Sequence, residues 1–278
     1  MRKTFVAVII YRPNKSLLRL NIESFSKFVE KIIIWDNMIE TESCRYRIDL
    51  PNNAEYRGLG ENIGISKALN ICLNMANEQG FEYFMSMDQD SIWGNFKEFK
   101  LNAVDFLSKK NCIIGPIING EKYPNFNSFL QIKWLITSGM FSKVETLIKI
   151  GGYNENFFVD SIDIELSLRA HYKSVETYIC QKGFLQQNFG ESNTISFGTK
   201  KYTIQYYSPN RIESILMGNV ILYRLYKHNA NLKEILVFVK ATIKSIIFNT
   251  DKKRYRRIKA IFCGIMKGMF CKIDKYKL

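Results

Sequence analysis

The sequence predicts an α/β domain built on a mostly parallel central sheet with helices on both faces, followed by a C-terminal helical tail. The chain opens strand-helix-strand, and apolar strands then alternate with amphipathic helices to about residue 150. The central apolar run, Phe81 to Ser91 (FEYFMSMDQDS), ends abruptly in two acids. A strand-helix-strand opening closes through a right-handed crossover and so lays its strands parallel. In open sheets of this kind ligands bind beyond the carboxyl ends of the strands, so the residues following each strand are the first candidates for chemistry.

Phe5 to Ile10 is rich in β-branched residues and forms the first strand, closed by the turn Tyr11-Arg12-Pro13. Leu17, Leu18, Ile22, Phe25 and Phe28 have helical spacing, and Lys31 to Trp35 is a second strand ending in Asp36-Asn37. Asp36 reads equally as a ligand-binding group and as an exposed turn acid. Residues 38 to 53 are polar and irregular, and Glu55-Tyr56-Arg57 is a short third strand. The glycines of Gly58 to Gly64 miss the G-x-G-x-x-G dinucleotide fingerprint by one residue, and no long apolar strand precedes them. Ile65 to Glu78 is a helix packing through Ala68, Leu69, Cys72, Leu73 and Met75, with Asn62 as its expected N-cap.

In the central run, Phe81, Tyr83, Phe84, Met85 and Met87 suit a buried parallel strand. Spaced i,i+2 on extended backbone, Asp88 and Asp90 would point the same way. Two acids aimed together repel unless a cation lies between them, and a divalent ion with oxygen ligands fits that need; the bland alternative is a solvated Asp-rich turn. Phe96 to Leu107 is a helix, Cys112 to Ile118 and Phe129 to Ile136 are strands, and Thr137 to Met140 is a tight turn. Val144 to Ile150 is a short helix ended by Gly151-Gly152. A second acid cluster, Asp160, Asp163 and Glu165, opens an amphipathic helix capped by Asp160 or Ser161. Glu165 and Arg169 form an i,i+4 surface pair in this reading. Asp163 is either a first-turn acid favoured by the helix dipole or the base of a catalytic crevice.

At 278 residues the chain can hold one catalytic domain and an appendage. Six cysteines without a C-x-x-C pair argue against a zinc knuckle or a disulfide framework and fit reduced thiols in a cytosolic protein. The N-terminal apolar run is too short for a signal peptide, and no run of about 18 apolar residues predicts a spanning helix. The net charge is +14, but Arg224 to Leu278 holds 15 Lys and Arg against 3 acids, a net of +12. The remainder is close to neutral, which argues against a nucleic-acid groove. In the tail, Ile258, Ile261, Phe262, Ile265, Met266, Met269 and Ile273 form a helical stripe flanked by Lys252, Lys253, Arg254, Arg256, Arg257, Lys259 and Lys267. A basic amphipathic helix reads as a membrane-surface anchor, or else as a helix packing that stripe on the domain.

Six pieces in order resemble the family 2 glycosyltransferases, particularly their bacterial rhamnosyltransferase-like group. These are the first strand with YRP, the second with Asp36-Asn37, NIGISKALN at Asn62 to Asn70, MDQDS at Met87 to Ser91, TSGM at Thr137 to Met140, and GGYNENFFVDSIDIELSLRA at Gly151 to Ala170. The resemblance spans about residues 4 to 191. It implies a GT-A fold over residues 1–222, with a nucleotide-sugar half at about 1–118, an acceptor half at about 119–222, and a basic tail at 223–278. It implies donor contacts from Tyr11, Asp36, Asn62, Asp88 and Gln89, with Asp36 on the pyrimidine and Asp88 near the ribose. By the same resemblance Asp90 would hold Mn2+ or Mg2+ on the donor diphosphate, and Asp163 would be the general base of an inverting transfer. Ser138, Gly139, Asp160, Glu165 and Arg169 would contact the acceptor or support the site. Two departures stand out. Tyr11-Arg12-Pro13 replaces the usual Tyr-Asn-Pro, and Gln187-Asn188-Phe189-Gly190 replaces H-x-x-G, which leaves the metal site weaker or completed by water. Neither His171 nor His228 is given a role.

The expected activity is transfer from a nucleoside-diphosphate sugar, dTDP-rhamnose first and a UDP-hexose otherwise, to a polyprenyl-linked saccharide in bacterial surface polysaccharide assembly. The expected location is cytoplasmic, peripheral at the inner membrane face, with no nucleic-acid partner. A nucleotidyltransferase also uses paired acids and Mg2+, but it would carry a basic Gly-rich loop where Tyr11-Arg12-Pro13-Asn14 stands. A nucleic-acid binder using the tail leaves the acids at the strand ends without purpose.

Overall fold

The computed structural model describes residues 3–187, 192–197, 200–205, 207–226, 236, 239–243 and 254–273. Four strands form its parallel half: β1 (Thr4–Ile10), β2 (Lys31–Asp36), β3 (Ala54–Gly58) and β4 (Tyr83–Asp88). Between them lie α1 (Lys15–Glu23), the single turn α2 (Glu40–Ser43) and α3 (Ile65–Glu78). Then come β5 (Ser91–Trp93), α4 (Phe96–Lys109), β6 (Cys112–Ile118), β7 (Phe129–Ile132), β8 (Met140–Lys143), α5 (Val144–Ile150), α6 (Ile162–Tyr172) and β9 (Glu176–Gln187). Among the described residues these strands make one sheet in the order β3-β2-β1-β4-β8-β6-β9-β5, with β7 also on β9.

β1 is buried at every residue and pairs in parallel with β2 and β4, as a continuous β-branched run requires. The second half is mixed. β8 runs antiparallel to both β4 and β6, while β6 and β9 are parallel. Only Gln89 and Asp90 separate β4 from β5, yet β5 pairs with β9 at the far end of the strand order. So short a connection forces the sheet to curl until the end of β9 meets the end of β4. The core lies between the sheet and its helices, with Val6, Val8, Ile34, Met85, Phe96, Phe99, Phe141 and Leu185 among its buried residues. β7 stops at Ile132, short of the strand expected through Ile136, and Trp134 beyond it is exposed under the Lys133 ammonium.

The chain divides into two compact units, Met1–Phe158 with Ile162–Asn188, and Val159–Ser161 with Phe189–Lys275. In the second, β10 (Ser192–Phe197) and β11 (Lys200–Gln205) form an antiparallel pair, and α7 (Pro209–Tyr226) packs on α8 (Arg254–Phe270). The two helices run in the same direction, since Gly264 meets Glu213 and Leu216 while Gly268 meets Met217 and Val220. A Cβ on Gly264 would lie 2.6 Å from the Glu213 carbonyl, and one on Gly268 2.7 Å from Val220 Cβ, so only glycine permits this approach. Buried Arg257 donates to the Tyr207 carbonyl at 2.9 Å, and Arg224 donates to the Gly268 carbonyl at 2.7 Å at the end of α8. The α8 stripe therefore divides differently from the sequence reading. Ile261 turns inward and Ile265 packs on the small core with Ile212, Leu216 and Ala260, whereas Ile258, Phe262, Met266 and Met269 face out. Lys252, Lys253 and His228 lie outside the described residues.

Candidate active site

Register fixes the edge on which the expected site residues gather. Ile10 pairs with Asp36 and Ile9 with Asp88, so Tyr11, Asp36 and Asp88 stand at the carboxyl ends of three adjacent parallel strands. Asp36 is buried, not an exposed turn acid. Its Oδ1 accepts from Met38 N–H at 2.9 Å and its Oδ2 from the Ser43 hydroxyl. Both oxygens of this carboxylate are thereby fixed by donors from the segment that follows β2. Tyr11 and Gln89 exchange bonds, Tyr11 N–H donating to Gln89 Oε1 at 2.8 Å and Gln89 Nε2 to the Tyr11 carbonyl at 3.3 Å. Arg12, the departure from the usual motif, points to Glu42 with two bonds of 2.9 and 2.8 Å.

The two acids of the central strand do not share extended backbone. β4 ends at Asp88, and Asp90 sits in the turn before β5, so the i,i+2 argument fails and the turn itself aims Asp90. That turn is clamped from three sides. Buried Asn21 of α1 donates its amide to the Asp88 carbonyl at 3.0 Å and also to the Ser91 carbonyl, tying the ends of the turn together. Buried Ser138 accepts from Asp88 N–H at 3.2 Å and donates to Ser91 Oγ at 2.9 Å, while Gly139 N–H donates to the Ser86 carbonyl at 2.8 Å. Gln187, at the end of β9 and 99 residues away in sequence, donates its amide to Asp88 Oδ2 at 3.0 Å. Asn188, Phe189 and Gly190 of the expected H-x-x-G counterpart lie outside the described residues.

Beside Asp36 the chain makes a second turn. Asn62 is not the cap of α3; the cap position is Gly64, and Asn62 Oδ1 instead accepts from Gly64 N–H at 3.0 Å. Gly64 has φ +82°, and a Cβ there would lie 2.7 Å from the Phe158 ring. Asn37 donates to the Gly64 carbonyl at 3.2 Å, and Ile65 N–H donates to the Phe158 carbonyl at 2.7 Å. The backbone just before the second acid cluster is thereby fastened to the start of α3.

Asp163 lies half-buried in the first turn of α6, its Oδ1 accepting from Ile164 N–H at 2.9 Å. Asp160, in the second unit, faces Arg211 at 3.7 Å; burial raises its carboxyl pKa, against the pull of Arg211 and Ser214. Glu165 and Arg169 are not a surface pair. Both are fully buried and joined by two bonds of 2.9 Å. Arg169 also donates to the carbonyls of Ile150 and Gly152 at 2.5 and 2.7 Å, and Asn154 donates to Glu165 at 3.0 Å. Asn70 of α3 holds the same loop through Tyr153, accepting from its N–H and donating to its carbonyl at 2.7 Å each. The GGYN segment is thus an internal brace that orients α6, and Arg169 is its centre. Arg169→Leu is expected to destabilise the fold by about 3–5 kcal/mol, because it leaves a carboxylate buried without its ion pair. Urea denaturation measures this, and stability within about 0.5 kcal/mol of wild type, as for an ordinary surface change, would remove the bracing role.

No family profile matches the chain. No curated protein matches it in sequence. Among solved structures it is similar to GalNAc-T7 with UDP, GalNAc and Mn2+, with a TM-score of 0.62 at 9% identity, covering 96% of this chain and 56% of that one. It is also similar to S. aureus TarS 1–349 with UDP-GlcNAc, with a TM-score of 0.55 at 16% identity over 96% of this chain and 81% of that one. The chain has a GT-A fold. It spans little more than half of the GalNAc-T7 chain, and the likeness is one of architecture.

Within this GT-A frame, the chemistry of the donor set decides whether a divalent ion fits. Among the described residues no three His, Cys, Asp or Glu side chains are grouped to hold a metal. Asp88 nonetheless ends the strand and Asp90 follows it in the turn, and Gln187, bonded to Asp88, keeps its Oε1 as a buried acceptor without a hydrogen-bond partner among the described residues. Hard oxygens few in number suit an ion that keeps its remaining positions for substrate phosphates. Asn21 is the site residue that sequence analysis missed; Gln187 was singled out as a departure from the H-x-x-G motif, but its bond to Asp88 was not foreseen. An asparagine inside an amphipathic helix reads as solvated, and no local pattern connects the ends of β9 and β4.

Proposed function

We propose that the chain is an inverting, metal-dependent glycosyltransferase that moves a sugar from a nucleoside-diphosphate sugar to a saccharide acceptor. The observation that carries this is the gathering of Asp36, Asp88 and the Asp90 turn at one edge of a GT-A sheet. Support comes from similar folds solved with UDP, with UDP-GlcNAc and with Mn2+. Asp36 orients the base, with Asn62 shaping the adjoining turn; Tyr11 and Gln89 frame the nucleoside, and Asp88 lies by the ribose. Asp90 and Gln187 Oε1 would hold Mn2+ or Mg2+, which when bound offsets charge on the departing diphosphate. Asp163 takes the proton from the acceptor hydroxyl as that oxygen attacks the anomeric carbon. Ser138 and Gly139 hold the Asp88 strand end, and Glu165 with Arg169 fixes the helix that carries Asp163. Asp160 supports the segment ahead of it.

The nucleotide-sugar half is assigned to about residues 1–118, the acceptor half to about 119–222, and residues 223–278 to a basic tail. The donor proposed first is dTDP-rhamnose, on the DQDS segment, with UDP-hexoses second. The acceptor proposed is a polyprenyl-linked saccharide at the inner, cytoplasmic face of a bacterial membrane. No helix among the described residues is long and apolar enough to cross a membrane. A thermal-shift screen of nucleoside diphosphates and their sugars, with and without Mn2+, tests the reading. A ligand that binds only the folded state raises Tm by mass action, so one nucleotide sugar is expected to give the largest shift, and only with Mn2+. A shift confined to nucleoside triphosphates would make the chain a nucleotidyltransferase instead.

A further inference from the structure

The face of α8 turned away from α7 carries Tyr255, Ile258, Phe262, Met266, Met269 and Phe270 at helical spacing. The three aromatic side chains are 77%, 66% and 72% exposed in that order. The opposite face, with Arg257, Ala260, Ile261, Gly264 and Gly268, is buried. Packing and exposure are thus assigned to different sides of one helix, and a contiguous apolar stripe left in water marks an interaction surface.

The charge around the stripe selects the partner. α8 carries five Lys and Arg and no acid, and Arg254, Arg256 and Lys259 are exposed. A second copy would bring the same positive charge against itself. We propose that this outer face lies in the headgroup region of an anionic bilayer, the aromatic and Met side chains inserted and the basic side chains reaching to lipid phosphates. This deepens the acceptor part of the function proposed above, since a lipid-linked acceptor is presented at a bilayer, but it rests on residues outside that site.

Deleting α8 would strip α7 of its partner, so the test uses point variants of the full chain. Wild-type protein is expected to float with vesicles of phosphatidylcholine and phosphatidylglycerol, not with phosphatidylcholine alone. Binding is expected to weaken as salt rises above about 0.1 M, where charges are screened over roughly 10 Å. Phe262→Glu with Phe270→Glu is expected to lower binding by roughly tenfold or more, because two aromatic anchors are lost and two charges repel the surface. Arg256→Ala with Lys259→Ala leaves the stripe intact and is expected to reduce the preference for phosphatidylglycerol. Wild type that ignores anionic vesicles at low salt, or glutamate variants that bind as wild type does, would overturn the proposal. A wild-type dimer that the glutamate variants split, without vesicle binding, would make the face a self-association surface and also overturn it. Nucleotide thermal shifts on the same variants separate the two readings: they stay unchanged if only the membrane face is lost, and their absence in wild type would count against the transferase alone.

Discussion

Asp90→Ala is expected to abolish transfer and to remove the Mn2+-dependent part of nucleotide binding. The turn that carries Asp90 is held by groups other than its carboxylate as well: Asn21 ties the carbonyls of Asp88 and Ser91 together, and Ser138 and Gln187 hold Asp88. Removing the side chain would delete the proposed metal ligand while these bonds still hold the turn. A metal at a developing diphosphate charge contributes several kcal/mol to the transition state, so the loss should be about a thousandfold or more in turnover. Activity assays and thermal shifts with and without Mn2+ measure both effects. A variant whose nucleotide affinity still responds to Mn2+ as wild type does would move the metal to other residues.

For Asp163→Asn the expected result is donor binding unchanged and turnover lowered by roughly a hundredfold or more, the range of a lost general base. The amide keeps the shape of the side chain and an oxygen for the Ile164 N–H, so the first turn of α6 is preserved. The buried Glu165–Arg169 pair holds the helix in either variant. What the substitution removes, on the proposed reading, is the carboxylate that takes the acceptor's proton. Single-turnover kinetics beside donor titration separate the two quantities, and comparable turnover in mutant and wild type would shift the base elsewhere, Asp160 first. There burial already raises the carboxyl pKa.

Long, strongly periodic segments were legible without coordinates. β1, β2, β4 and β6 stand as expected because their residues are predominantly apolar, and α3 and α5 because apolar spacing and terminal glycines bound them. Short or composite pieces were not. β8 spans only Met140–Lys143 and reads from sequence as the end of a turn. Glu165 and Arg169 look like a surface pair because i,i+4 spacing carries no information about burial. The stripe on α8 was drawn by hydropathy, which overlooks glycine, yet Gly264 and Gly268 decide which side packs.

Local chemistry settled where the acids stand, at the ends of strands, because an apolar run must stop where the chain meets water and the acids follow it directly. What those acids are next to came from the curl of the sheet. The short connection from β4 to β5 obliges the strand order to close on itself, and that closure carries Gln187 across 99 residues to Asp88. Periodicity describes one element at a time. Asn21, Ser138 and Gln187, which bond Asp88, come from α1, the turn before β8, and β9, whose meeting is a property of the packed sheet.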